Sequence, residues 1–147
     1  MPNLYPVFET PELVEQAQPG VIKYGQSWEF DFNSGQFVKD GGGKLKLIDG
    51  HSAWVQWCIK AILTQRYAYL AYSKNYGFEQ DAVRNMPDRK SKEAEIERCI
   101  TEALLADPRT EWCRDFNMSW GGESLTVSFS AKPKVGPVTT LEVKFDG

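Results

Sequence analysis

Residues 52–64 read SAWVQWCIKAILT, and the spread of apolar side chains along them decides the class of fold. Trp54, Val55, Trp57, Cys58, Ile59, Ala61, Ile62 and Leu63 cover more than half of a helical circumference, wider than the single stripe of a surface helix. The spacing predicts a helix buried on nearly all sides, with the rest of the chain packed around it. Immediately before it, Asp49-Gly50 closes a short alternating run, Lys44-Leu45-Lys46-Leu47-Ile48. Asp49 or Ser52 is placed to accept hydrogen bonds from the orphan amides of the first turn.

Toward the N-terminus, Trp28-Glu29-Phe30-Asp31-Phe32 alternates large apolar with acidic residues. Asn33-Ser34-Gly35 then supplies turn chemistry and Gln36-Phe37-Val38 resumes the pattern, which predicts a hairpin. Gly41-Gly42-Gly43-Lys44 has a superficial likeness to a phosphate cradle, but it precedes a strand rather than opening a helix and lacks the G-x-x-x-x-G-K-[ST] spacing. It is read as a turn. Residues 1–26 contain Pro2, Pro6, Pro11 and Pro19, which remove backbone donors and fix φ, so an extended N-terminal arm is expected ahead of a single α+β domain over 27–147. Leu4, Tyr5, Val7 and Phe8 give that arm more apolar surface than a solvated tail needs, and make it a partner-binding candidate.

Toward the C-terminus, Ile96, Cys99, Ile100, Ala103 and Leu104 recur at i, i+3, i+4, i+7 and i+8 with charged residues between them, which predicts a one-stripe helix from about Ser91 to Ala106. Asp107-Pro108 ends it, because a residue before proline avoids the α region. A three-stranded meander follows. Its first strand is expected to carry Trp112, Phe116 and Met118 on one face, with Arg114 an exception among them; after a turn at Gly121-Gly122 come Leu125, Val127, Phe129 and Ala131, then a KPKVGP loop, then Leu141, Val143 and Phe145. Together the pattern gives an α+β fold, two helices packed on an antiparallel sheet.

Composition narrows the function. A chain of 147 residues with 41% hydrophobic and 25% charged side chains is long enough to bury one proper core. No apolar run approaches the ~20 residues of a membrane span, and the N-terminus lacks a basic start and an apolar middle, so synthesis in the cytoplasm is expected. The formal charge of -3 and scattered basic residues argue against nucleic-acid binding. Cys58, Cys99 and Cys113 have no C-x-x-C spacing and fall in apolar patterns, which reads as reduced, buried thiols. His51 has no second histidine to share a metal, so no metal site and no cofactor are expected. No nucleophile elbow is visible. Glu79 and Asp81 could face a sugar stacked on nearby rings, but neither has the apolar sequence setting that makes a general acid, so no catalytic residue is assigned.

The aromatic stretch LTQRYAYLAYSKNYGFEQ, residues 63–80, follows the first helix. At least two of Tyr67, Tyr69, Tyr72 and Tyr76 are expected to cap the helix end with wet hydroxyls, the others being interface candidates beside Arg66. A carbohydrate-binding or peptidoglycan-hydrolysing domain that stacks sugars on this cluster is the alternative.

Combined with MPNLYPVFETPE, WEFDFNSGQFV and AWVQWCIKAILTQRYAYLAYS, the stretch resembles the XkdS-type baseplate proteins of contractile-tailed prophages and tailocins, within the wedge-protein and sheath-initiator family once labelled lysozyme-like. The resemblance covers nearly the whole chain and is most specific over residues 45–79. It implies a small α+β domain in the virion or tailocin baseplate, assembled in the host cytoplasm. The implied partners are baseplate wedge proteins, the tail sheath protein and tube or hub proteins, with neither membrane nor nucleic acid. The implied role is structural: docking on wedge subunits near the tube and initiating sheath assembly. Relatives carry a glutamate in a T-x-x-[GY]-E setting that pairs with arginine. Here Ala68 stands at that position, and Arg66 is left to pair with a partner's carboxylate instead.

Overall fold

The structure, a computed structural model, describes residues 25–146. The arm candidates Leu4, Tyr5, Val7 and Phe8 lie outside the described residues. The fold is α+β. Short strands β1 (Ser27–Trp28), β2 (Phe30–Asp31), β3 (Gln36–Phe37) and β4 (Leu47–Ile48) precede α1 (Gly50–Leu63), α2 (Gln80–Arg84) and α3 (Arg89–Leu105). The chain then forms the antiparallel meander of β5 (Thr110–Gly121), β6 (Ser124–Pro133) and β7 (Thr139–Phe145).

Strand β6 shows why the meander has one buried face. Leu125, Val127, Phe129, Ala131 and Pro133 are buried while the residues between them, mostly serine and threonine, stay half-exposed. Strict alternation fixes the register, since a one-residue slip would bring Thr126, Ser128 and Ser130 into the core. α1 and α3 cover that face: Trp54, Cys58 and Ile62 from one, Ile96, Ile100 and Leu104 from the other, share a cluster with β6 and with Leu141 and Val143 of β7. Each large apolar side chain so buried contributes roughly 1.5–3 kcal/mol. The indole Nε1 of Trp54, fully buried, donates to Thr110 Oγ1 at 3.1 Å, which satisfies both polar groups.

α1 is buried less completely than its composition predicts. Ala53, Trp54, Cys58, Ala61 and Ile62 form the buried face, whereas Leu63 is 47% exposed. Its flanks are partly covered by the small strands. Gln56 Oε1 accepts from the Phe30 amide at 2.8 Å and its Nε2 donates to the Trp28 carbonyl at 2.7 Å, which pins this layer to the helix. The predicted hairpin is β2–β3, with Gly35 at φ 69 and its amide donating to Asp31 O. The glycine run is a turn whose amides are already used: Asp40 Oδ1 accepts from Gly42 N at 2.9 Å and Lys44 N at 3.0 Å. Residues beyond it return to pair with β1.

Three further readings are corrected. Asp49 sits at the N-cap of α1 but its carboxylate makes no capping bond, and Ser52 lies within the helix; Gly50, at φ 56, turns the chain between Asp49 and the first turn. α3 instead begins at Arg89, two residues earlier than Ser91, because Asp88 caps it by accepting from Ser91 N at 2.7 Å. The third correction concerns β5, where the register shifts between Arg114 and Asn117 and Asp115 adopts φ 59. Before this bulge Cys113 faces the core opposite Ala131; after it Phe116, Met118 and Trp120 do. Trp112 therefore shares the outer face with Arg114, whose guanidinium lies 4.6 Å from its ring centroid. Arg114 is no exception once the bulge is counted.

Asp tolerates the left-handed region and a β-branched residue does not. Asp115→Val is expected to lower stability by about 1–2 kcal/mol, read as a lower urea midpoint at unchanged slope, whereas Asp115→Gly leaves the midpoint unchanged or higher.

Candidate functional site

Thr64 leaves α1 in an extended conformation, and the next fully buried large side chain is Phe78, which is 1% exposed. The intervening loop is closed at its neck by backbone bonds. Phe78 N donates to Thr64 O at 2.8 Å and Arg66 N donates to Phe78 O at 3.0 Å, beside a parallel bridge between Gln65 and Phe78. Gly77 makes the neck possible. It has φ 104, and a Cβ there would stand 2.8 Å from Thr64 O and 3.0 Å from the Arg66 backbone.

Arg66 is the side chain that holds the loop's ends and middle together. Its Nε donates to the Lys74 carbonyl at 2.7 Å, and its NH1 nitrogen reaches Glu79 Oε1 at 2.9 Å and Glu102 Oε1 at 2.8 Å. Glu102 belongs to the polar face of α3, so the loop is tied to a helix distant in sequence. Arg98 extends the network, bonding Glu102 Oε2 at 2.6 Å and Glu95. The Arg66 side chain is only 11% exposed, so these bonds act in a partly dry setting. The hydrogen bond from Arg66 holds the Glu102 carboxyl below its ordinary range, and the one from Arg98 does the same for Glu95. Reciprocally, Arg66 is raised, mainly by its hydrogen bond to Glu102. Its charge is thus compensated within the chain.

The aromatic side chains run outward from the core as a series. Trp57 of α1 contacts Tyr76 at 5.9 Å between centroids, Tyr76 contacts Tyr72 at 4.6 Å, and Tyr72 meets Tyr69 edge-on at 5.9 Å. Tyr76 is half-buried against the core, and burial pushes its hydroxyl above the ordinary value. Tyr72 is 40% exposed, with Lys60 Nζ 5.7 Å from its ring centroid. Tyr67, Tyr69 and Leu70 are exposed, Leu70 completely. Tyr76 and Tyr72 thus lie against the end of α1, the first on Trp57 and the second over Lys60, while Tyr67 and Tyr69 project outward. Tyr67 has φ 66 and stacks on the Arg66 guanidinium at 5.0 Å, so a left-handed non-glycine residue is held there by its neighbour. Ala68 is exposed beside them.

The carboxylates considered for sugar chemistry are placed differently. Glu79 is engaged with Arg66, and Asp81 lies in the first turn of α2, where its Oδ2 accepts from Gln65. Among the described residues no group of His, Cys, Asp and Glu converges as metal ligands. Burial raises the thiols of Cys99 and Cys113 to about 11 and Cys58 further, which makes them poor nucleophiles at neutral pH. His51 Nε2 lies 3.1 Å from the Pro137 carbonyl and 3.0 Å from Thr139 Oγ1, linking the start of α1 to β7. Sequence reasoning missed Gly77, Glu95, Arg98 and Glu102. The spacing Glu95, Arg98, Glu102 marks an ion-paired helix face, but nothing in it points to Arg66.

A family model described as contractile injection system sheath initiator matches residues 26–136. Among curated proteins, the Bacillus subtilis (strain 168) protein named phage-like element PBSX protein XkdS is 34% identical over 131 residues, covering 88% of this chain and 86% of the relative.

Arg66→Ala is expected to cost about 1–3 kcal/mol and to remove hydrogen-exchange protection from the Phe78 and Arg66 amides while leaving β6 protected. Because Glu95 and Glu102 titrate lower in the folded state, the stability they contribute is fully present above about pH 4.3 and is lost as the pH falls through their lowered values. Thermal melts from pH 7 to pH 3 should show that loss, and Arg66→Ala should reduce it.

Proposed function

The chain belongs to the family of contractile injection system sheath initiators, and on that premise we propose that it docks on baseplate wedge subunits near the tail tube through the 64–79 loop and starts the first ring of sheath. A structural role in a contractile tail follows from the family; the docking surface and its partner are the proposal. The observation that carries it is the pairing of an exposed aromatic tip with a locked neck. Tyr67, Tyr69 and Leu70 stand in solvent, yet Gly77 and the Arg66 bonds fix the loop that bears them. Tyrosine offers a large contact area with few rotatable bonds, so a fixed loop of this kind binds with little ordering entropy.

The sugar-stacking alternative is less well supported. Tyr69 and Tyr72 meet at 81°, which gives an edge rather than a flat platform, and Glu79 is committed to Arg66. The protein is therefore proposed to act without catalysis. Residues 1–26 are proposed as an arm that reaches a neighbouring subunit from the 27–147 domain, Leu4, Tyr5, Val7 and Phe8 being its contact residues. Further proposed contacts are the sheath protein and tube or hub proteins, in a baseplate assembled in the host cytoplasm.

Particles assembled with a Tyr67→Ser, Tyr69→Ser, Leu70→Ser chain are expected to lack it in their baseplates and to lack sheath, although the purified variant melts within a degree or so of the parent, as exposed sites allow. Normal sheathed tails would contradict the docking assignment. Purified protein is expected to release no fragments from peptidoglycan; release abolished by Glu79→Gln or Asp81→Asn would restore the hydrolase reading.

A further inference from the structure

At the end of the domain near the α1 C-terminus, a groove of about 310 Å³ opens between α2, the start of α3 and the tip of the meander. Ile62, Phe78, Ile96 and Leu125 lie beneath it, each at most 2% exposed, and the apolar surface it presents comes from Leu63, which is 47% exposed, and from the half-buried Trp120 and Phe145, the latter stacked on Phe78 at 5.2 Å. The α2 wall contributes Val83 and has no fully buried residue of its own. Such a floor accepts bulky apolar side chains, and the volume suits one or two of them.

The rim is charged, and unevenly satisfied. Lys144 lies 3.9 Å from Asp146, so these two offset each other. Arg84 and Lys92 line the same groove, together with Glu123. Neither Arg84 nor Lys92 makes an ion pair or side-chain hydrogen bond among the described residues. Beside them Arg89 lies 4.8 Å from the Trp120 ring and donates to Gly122 O at 2.9 Å, while Glu93 accepts from the Trp120 indole at 2.6 Å, so these two charges offset each other. With Glu123 set against Arg84 and Lys92, the rim keeps an excess of one cation, which on a chain of net charge -3 favours a negatively charged occupant. A free phosphate is a poor match, since the groove presents an apolar floor and the nearby α3 N-terminus is already capped by Asp88.

We propose that this groove is a second docking site, separate from the aromatic loop, for an acidic peptide segment of a partner protein that buries one or two bulky apolar side chains against Leu63, Val83 and Phe145 and sets its carboxylates on Arg84 and Lys92. Charge at the rim selects the partner and the floor supplies affinity, the division seen when an apolar anchor enters a polar-rimmed pocket.

Selection of the full chain against a displayed library of random dodecapeptides tests it. The enriched peptides are expected to carry Leu, Ile, Phe or Trp flanked by Asp or Glu. They should shift the Trp120 indole resonance and the Val83, Arg84 and Phe145 amides, and bind about tenfold more weakly to Arg84→Glu, Lys92→Glu protein, about 1.4 kcal/mol. Arg84→Gln, Lys92→Gln should show a smaller loss with an unaltered fold. Substituting Tyr67, Tyr69 and Leu70 should leave this binding unchanged, which separates it from the wedge-docking reading. The proposal is overturned if no peptide is enriched, if enriched peptides are basic or uncharged, if they perturb residues 64–79 instead, or if both charge variants bind as well as the parent.

Discussion

The contact on which the candidate site depends is the Arg66 guanidinium. One planar group bonds the Lys74 carbonyl inside the loop, Glu79 at its return and Glu102 on α3, so that one side chain fixes a long excursion at three points. A fork of fixed geometry does this better than a point charge, because several directed bonds come from one ordered side chain. Arg66, a partner-binding candidate by sequence, directs these bonds inward. The exposed rings then inherit a rigid base without having to be buried themselves. Gly77 is the backbone counterpart, since no side chain fits where the neck closes.

The rest of the domain supplies the platform for that clamp. α3 lays Ile96, Cys99, Ile100, Ala103 and Leu104 on the sheet, which leaves Glu102 reaching Arg66 and Arg98 reaching Glu79 of the loop. The stripe that builds the core therefore also orients Glu102, the acid of α3 that holds Arg66. α1 works in the same way: Trp54 and Ile62 enter the core, while Trp57 and Lys60 turn toward Tyr76 and Tyr72. Core packing and loop placement share the same two helices.

Most of the fold was legible because it rests on local periodicity. The 3.6-residue stripe of α3, the strict alternation of β6 and the turn residues at Gly35 and Gly122 each specify their element without help from distant contacts. What escaped depended on single irregularities. The bulge at Asp115 inverts the face of β5, so Trp112 was grouped with Phe116 when it lies opposite, and five-residue α2 is too short to show a period. At the candidate site, the tyrosines and Arg66 stood out by composition. Their arrangement did not, because Arg66 and Glu102 are 36 residues apart and no pattern announces a contact at that separation.

A photo-crosslinking residue placed at position 70 and activated in assembled tails reads out what the loop touches, since the native Leu70 is fully exposed at the tip of the clamped loop. A crosslink to a baseplate wedge subunit is expected, lost when Arg66 is also replaced by alanine and the loop is freed. Efficient assembly with no crosslink at position 70, or a crosslink unaffected by Arg66→Ala, would contradict the docking assignment.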